Sequence, residues 1–371
     1  MNVKALDTGV VYRNPAPHIR SVQAFFPSLV RLSSGEILCG LDIGSAFEAH
    51  DVRTHVSRSL DNGSTWSAPE PLCLLDETEY PKSMSCRLSH GDGDQIVGLA
   101  HIWDRSRAEH GLANPDTEGF VSGSVAMVDS KDGGHTWNAP RELDLPLAWH
   151  EYEICSPIKV LPSGRWTIPT ALWPNWEGAT PFGCKAILFS SDDHGQTWTG
   201  VADVMNGWDD KIAYYEQKQL VLGDGRLLAL CWVVDHKTKT NLPNRFAFSY
   251  DDGRSFSTPQ DTPLNGETCT TIALEGNKIL CLYRRADQYK GLWAHIAEIE
   301  GDTWKPISDV PLWGTNVSAH ETTQESLLAQ MSTIRFGCPT VVKLDDGQFL
   351  VAFFCVEEAV FNIRWLKLQV S

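Results

Sequence analysis

SLDNGSTW (Ser59–Trp66), SKDGGHTW (Ser130–Trp137), SDDHGQTW (Ser191–Trp198) and SYDDGRSF (Ser249–Phe256) are copies of one pattern, S-x-D-x-G-x-[ST]-[WF]. Each residue type in it has a mechanical reason to be there. The Asp carboxylate accepts hydrogen bonds from backbone N–H groups of its own turn, and Gly takes the φ > 0 conformation that a tight turn needs. The aromatic residue covers the core beside the turn. Runs ahead of the motifs, such as THVSRS and AILFSS, read as strands, so each motif joins two antiparallel strands at the rim of a sheet. On this reading the motif is structural, and chemistry has to be sought elsewhere in the chain.

A second repeat runs in phase with the first: apolar strand, polar turn with Gly or Asn, apolar strand. It occurs as PSLVRLSSGEILCG from Pro27, CRLSHGDGDQIVGLAH from Cys86 and SPIKVLPSGRWTIP from Ser156. It continues as KQLVLGDGRLLALCW from Lys218, TTIALEGNKILCLYR from Thr270 and PTVVKLDDGQFLVAFF from Pro339. Six copies imply six blades. Their spacing of about 50–70 residues suits four-stranded blades with generous loops and is too irregular for a WD-type array. The first four blades carry the full aspartate motif, the fifth a degenerate GDTW from Gly301, and the sixth none. The opening VKALDTGVVY and the terminal FNIRWLKLQV both read as strands, which predicts that the two chain ends share one sheet and close the ring. With little sign of helix and no linker rich in Pro, Gly or Ser, residues 1–371 are expected to form a single all-β domain, a six-bladed β-propeller.

Composition narrows the function. Lys+Arg 31 against Asp+Glu 47 gives a net charge of −16, which argues against sequence-independent binding to nucleic acid or to an anionic membrane, since both need clustered cations. Fourteen Trp supply ample material for aromatic walls. The N-terminus, MNVKALDTGVVYRNP, has no apolar signal region, and no stretch is apolar enough to span a membrane, so a cytoplasmic location is expected. The ten Cys sit singly, with no CxxC pair, in apolar runs such as those around Cys39, Cys155, Cys231, Cys281 and Cys355. They read as reduced core thiols. No nucleotide, flavin or metal-binding spacing appears, so no cofactor and no metal are expected. Nothing in the sequence fixes the oligomeric state.

In a propeller the inner strands converge on the axis, and residues at their starts and on the loops between blades share one pocket. Candidates by that rule are His18, Arg20, Gln23, Asp42, His50, Asp51, Arg53 and His55 from blade one, Arg87 from blade two, and His150, Glu151, Tyr152 and Glu153 from blade three. Blade four offers Tyr214, Tyr215 and Glu216, blade five Glu267, and the segment before blade six Gln330 and Arg335. Trp173 and Trp176, in ALWPNWEG, have indole faces suited to stacking on a sugar ring or to rim packing. His50, Asp51, Arg53 and His55 are polar, but strand alternation does not make them a ligand set.

The aspartate motif resembles the Asp-box, or BNR repeat, of the sialidase superfamily, in which the boxes lie away from the active site. The stretch YYEQKQLVLGDGRLLAL is similar to the family's Glu, strand and Asp-Gly turn, which implies that Glu216 is the base that activates a tyrosine nucleophile. Tyr214 and Tyr215 are the tyrosines at hand, and Tyr215 is taken as the candidate. The family's acid/base Asp sits on a loop before the strand leading into the first box, where this chain has Asp51. A pair of carboxylates is what glycosidic cleavage generally needs. The chain also departs from the family. A Phe-Arg-Ile-Pro type motif is replaced by Ala24-Phe25-Phe26-Pro27, with Phe25 in the arginine position, and a second family arginine gives way to Cys231-Trp232. Arg284 and Arg285 stand where the third belongs, and MSTIRFGCPTVV holds no Tyr. Without the guanidinium forks that grip a carboxylate, the resemblance implies a glycoside hydrolase acting on the terminal sugar of a short oligosaccharide other than an ordinary sialoside. Asp51, Glu216 and Tyr215 are the expected catalytic residues. Arg20, Arg53, Arg87, His150, Tyr152 and Arg285 are the expected substrate-binding residues. Two alternatives stand beside it: a lyase in which His150, Tyr152 or Tyr215 removes a proton next to a uronate carboxylate neutralised by Arg20, Arg53 or Arg87, and a sugar-binding propeller without chemistry.

Overall fold

The computed structural model describes residues 1–107, 110–285, 287, 289–314 and 334–371. Their strands run β1 (Val3–Tyr12), β2 (Gln23–Arg31), β3 (Ile37–Gly44), β4 (Arg53–Ser59) and β5 (Glu70–Pro71), then β6 (Lys82–His90), β7 (Ile96–Asp104), β8 (Gly123–Ser130) and β9 (Arg141–Glu142). The third blade has β10 (Lys159–Val160), β11 (Trp166–Ala171), β12 (Ala186–Ser191) and β13 (Gly200–Met205). The fourth has β14 (Ile212–Val221), β15 (Leu227–Asp235), β16 (Thr240–Ser249) and β17 (Gln260–Asp261). The fifth has β18 (Gly266–Ala273), β19 (Lys278–Arg285), β20 (Gly291–Glu300) and β21 (Thr303–Trp313), and the chain ends on β22 (Phe336–Lys343), β23 (Phe349–Glu357) and β24 (Val360–Val370).

These strands make six four-stranded antiparallel sheets, each a run of consecutive strands except the last, whose order is β1-β24-β23-β22. There Val3 pairs with Val370, so the first strand completes the last blade and closes the ring as the sequence predicts. One edge strand of each sheet faces the axis, the first in five blades and β22 in the last: β2 lies against β6 and β22, and β18 against β14 and β22. No helix among the described residues is long and apolar enough to cross a membrane.

The middle strands are buried at consecutive positions, throughout β11 and β12 for example, so each sheet buries both faces against its neighbours. The result is an apolar cluster at every blade junction. Leu38, Met84 and Val128 join blades one and two, Trp166 and Val97 join two and three, and Leu188 and Leu227 join three and four. Phe248 with Ile279, Leu280 with Val351, and Cys39 with Phe354 complete the circle. Burying each such side chain contributes about 1.5–3 kcal/mol, spread around the ring instead of concentrated at its centre. The centre is thereby left hollow.

The four aspartate motifs form identical turns between the third and fourth strands. In the first, Asp61 Oδ1 accepts the N–H groups of Ser64 (3.0 Å) and Thr65 (2.8 Å), and Oδ2 accepts the Thr65 hydroxyl at 2.7 Å. Ser59 Oγ donates to Asp61 at 2.9 Å and accepts from the N–H of Gly63 at 2.8 Å. The Thr65 hydroxyl, followed by the backbone donors, holds the Asp61 carboxyl down at about 2. Gly63 has φ 82°, and a Cβ there would meet Leu350 at 2.5 Å. Because the strands of a blade alternate in direction, these turns lie at the end of the ring opposite the starts of the inner strands. All ten cysteines are free.

Candidate functional site

At the end where β2, β14, β18 and β22 begin, each of these inner strands carries a bulge at the same level: between Phe25 and Ser28, Tyr215 and Lys218, Glu267 and Thr270, and Gly337 and Thr340. A bulge breaks the alternation of a strand and re-aims a side chain. Phe26, Glu216 and Cys338 each take a left-handed φ there, at 51°, 50° and 47°. All three side chains face the axis, where they line a hollow of about 180 Å³.

Most of the wall is aromatic. Phe26 and Phe47 lie 5.0 Å apart, Phe354 packs against both, and Phe120 stacks on Trp173 at 3.9 Å. Trp232 completes the wall, its Nε1 donating to Asn241 at 2.8 Å, and Asn241 in turn donates to Glu267 at 2.9 Å. The polar groups are four glutamates, Arg284, Tyr215 and His236. Arg284 forms an ion pair with Glu267, and Glu118 pairs with Lys239 at 2.5 Å.

The remaining two glutamates meet across the junction of blades three and four. The backbone N–H of Glu216 donates to the carboxylate of Glu153, which is only 4% exposed. Burial, and then the charge of Glu216, pushes the Glu153 carboxyl up to about 8. At neutral pH Glu153 therefore keeps its proton beside a second carboxyl group. Glu153, Cys155 and Glu216 bring one donor atom each within 4.8 Å of one another and are, among the described residues, the set able to hold a cation. Burial and the Glu153 charge hold the Cys155 thiol well above its usual range, so a metal there has to displace a tightly held proton. Cys338 is pushed up to about 12 by burial and by Glu216, and it too is a thiol.

In the same blade as Glu216, Tyr215 Oη and His236 Nε2 are 3.0 Å apart. Burial, and then Lys239, pulls His236 down to about 4, so its imidazole is neutral. Burial and the neighbouring Cys184 push the Tyr215 phenol well above its ordinary value.

Of the residues singled out from sequence, Glu216 and Tyr215 line the hollow, as do Glu153, Glu267 and Trp173. The others are held elsewhere. Asp51 is exposed and accepts hydrogen bonds from Ser45 N and Oγ, both at 3.0 Å. Phe47 from the same loop faces the hollow in its stead. Arg20 lies exposed in the loop before β2, its carbonyl bonded by Asn14 at 2.6 Å. Arg53 is engaged by Glu77 at 2.8 Å and by the carbonyl of Val52. Arg87 is buried on Asp42 at 3.1 Å, with its guanidinium 4.9 Å from the Phe26 ring, and lines a second cavity farther along the axis.

His150 is exposed, while Tyr152 is a core residue whose hydroxyl donates to the carbonyl of Leu147 at 2.8 Å. Arg285 bonds Asp287 and Asp309, each at 2.8 Å, over the Trp293 ring, and its neighbour Arg284 is the one that reaches the hollow. Trp176 packs on His110 and not on the axis. Tyr214 is turned to Arg245. Phe25 is fully buried between blades six and one. Gln330 lies outside the described residues. Sequence reasoning passed over Phe47, Glu118, Phe120 and His236, all of them on loops between second and third strands, the loops that open at this end of the ring.

Residues 112–309 match the family model described as BNR repeat-like domain. No curated protein sequence matches the chain. Among solved structures, a protein of unknown function from Dyadobacter fermentans superposes with a TM-score of 0.75 at 19% identity, covering 100% of this chain and 99% of that one. The K499G mutant of the NanB sialidase from Streptococcus pneumoniae gives 0.67 at 13% identity, with 97% of this chain and 70% of that chain covered. The intramolecular trans-sialidase from Ruminococcus gnavus gives 0.64 at 12%, with 97% of each chain covered. At these identities the likeness is one of fold.

Proposed function

Because the chain belongs to the BNR repeat-like domain family and has the sialidase-like propeller fold, we propose that it is a glycoside hydrolase releasing a terminal, uncharged sugar from a short oligosaccharide. One observation carries this reading: Glu153 and Glu216 face one small hollow together, one carboxyl held protonated by burial and by the other's charge. Two titratable groups driven apart in this way make an acid and a base from identical side chains. Glu153 donates its proton to the leaving glycosidic oxygen, the Glu216 carboxylate stabilises the oxocarbenium-like carbon that is left, and water adds to that carbon while its proton returns to Glu153. The aromatic wall of Phe120, Trp173 and Trp232 offers apolar faces to the sugar ring.

The charge of the hollow speaks for an uncharged substrate. Arg284 is the one Arg or Lys among its described lining residues, and Glu267 already holds it. A sialic acid or uronate carboxylate entering beside the Glu216 carboxylate meets like charge with no free guanidinium to offset it.

A second reading has one observation in its favour. Tyr215 against a neutral His236 is a phenol–imidazole pair able to take a proton from carbon, as a lyase requires. Incubation with a panel of neutral, sialylated and uronate-containing oligosaccharides separates the two. Release of a terminal neutral sugar, lost in both Glu153→Gln and Glu216→Gln, supports hydrolysis. An unsaturated product absorbing in the near ultraviolet overturns it in favour of the lyase. Saturable binding of a glycan without any cleavage leaves a sugar-binding propeller.

A further inference from the structure

Past Cys155 and Cys338, which line both spaces, the axis opens into a second cavity of about 570 Å³. Its wall has the opposite electrical character. Arg31, Arg87, Lys159, Lys218 and Lys343 line it, with His90, and not one Asp or Glu does, in a chain with 47 acidic residues against 31 basic ones. A uniform lining of one sign against the sign of the whole molecule is not what solvated surface charge produces.

The cations differ in how far they are already neutralised. Arg31 pairs with the exposed Asp345, Arg87 with the buried Asp42, and Lys218 reaches the carbonyl of Cys155. The ammonium of Lys159, on the two-residue inner strand β10, has no hydrogen-bond or ion-pair partner among the described residues, and neither has that of Lys343. Lys159 is largely withdrawn from water, which pulls its ammonium down from the ordinary lysine range. An unpaired ammonium drawn out of water and turned to this space is costly unless something there accepts its hydrogen bonds.

We propose that this lower channel is a binding site for a small multivalent oxyanion, of the phosphate or sulfate class. Ammonium groups from blades three and six with guanidinium edges from blades one and two supply charge-assisted donors from several sides, and the partly enclosed wall focuses their field on the axis. The site is separate from the acidic hollow above it and needs no sugar chemistry, so it stands or falls independently of the hydrolase reading.

The test is calorimetric titration of the whole protein with sodium phosphate and, separately, sodium sulfate, with ionic strength held constant by sodium chloride. Saturable binding is expected, weakened at least tenfold in Lys159→Met and less in the more exposed Lys343→Met. A preference between the two anions then says which member of the class the channel takes. Wild-type Tm, followed against the same ionic strength of chloride, supplies a reading that needs no variant, because a ligand of the native state raises it with concentration. Absence of saturable binding by both anions, a Tm indifferent to them, or equal affinity in a folded Lys159→Met protein overturns the proposal.

Discussion

The main-chain N–H of Glu216 donates to the side-chain carboxylate of Glu153, tying the fourth blade to the segment leading into the third at the floor of the hollow. The bond depends on the bulge in β14, since Glu216 sits at φ 50°, a conformation costly to any residue but Gly. One distortion thus turns the Glu216 side chain to the axis and sets its amide against a second acid. Two carboxyl groups so close cannot both ionise freely.

Glu153 must carry its proton to act as the acid, so activity is expected to fall as pH rises through about 8, where that carboxyl ionises. Stability follows the same group. A folded-state value raised above the unfolded one favours the native state fully below the unfolded value of about 4.3, and that contribution is lost as pH climbs to about 8. Glu153→Gln should flatten this part of the stability profile and lower kcat by about 10²–10⁴. Urea unfolding at a series of pH values, beside a pH–rate profile, checks both, and an unchanged stability slope in the variant speaks against a shifted Glu153.

Tyr215→Phe keeps the ring that packs near Trp232 and removes only the hydroxyl 3.0 Å from His236. If hydrolysis runs through Glu153 and Glu216, kcat should change by less than about tenfold, an amount ordinary for one lost hydrogen bond. A loss of about a thousandfold or more instead makes the phenol a proton carrier and favours elimination. Sugar release and near-ultraviolet absorbance, read on one reaction mixture, decide between these outcomes.

What the sequence discloses and what it hides follow one physical line. The Asp-box turns and the six Gly-centred hairpins are local: Asp61 bonds residues three and four places on, so the pattern is written in adjacent letters. The side chains on the axis depend on register. Strand alternation cannot say whether Phe25 or Phe26 faces inward until the bulge is known, and Pro27 and Pro339 were the available signs of it, since proline inside a strand favours a bulge or an edge. Arg284 and Arg285 pose the same question one residue apart, settled by their pairing with Leu292 and Gly291. Phe47 and Asp51 share a loop whose shape is imposed from the next blade. Glu48 accepts the N–H of Leu112 at 2.8 Å, and Arg105 donates to the Glu48 carbonyl at 2.9 Å. Contacts that distant in the chain leave no local pattern.

Arg87 was expected to bind substrate, and its surroundings predict a different consequence of removing it. Asp42 is fully buried, with Arg87 at 3.1 Å and the hydroxyls of Thr54 and Ser85 as its other partners. Burial already raises its carboxyl, and without the guanidinium it keeps no compensating charge. Arg87→Met should cost about 3–5 kcal/mol, and the double variant with Asp42→Asn should recover a large part of that. Denaturant unfolding measures it. A single variant of native stability with a raised KM returns Arg87 to substrate binding.

Ser249 tests whether the aspartate motifs are purely mechanical. Its hydroxyl donates to Asp251 and accepts from the N–H of Gly253, each at 2.8 Å, inside a residue only 1% exposed. Alanine there leaves a buried N–H without an acceptor and frees one side of the carboxylate that organises the turn. The expected loss is about 1–3 kcal/mol, as for other buried donors deprived of a partner, and a Tm lower by a few degrees. Because the turn lies at the opposite end of the ring from Glu153 and Glu216, kcat and KM on a cleaved oligosaccharide should stay within about twofold of wild type. A variant of unchanged Tm whose kcat collapses contradicts the mechanical role and draws the motif into the chemistry.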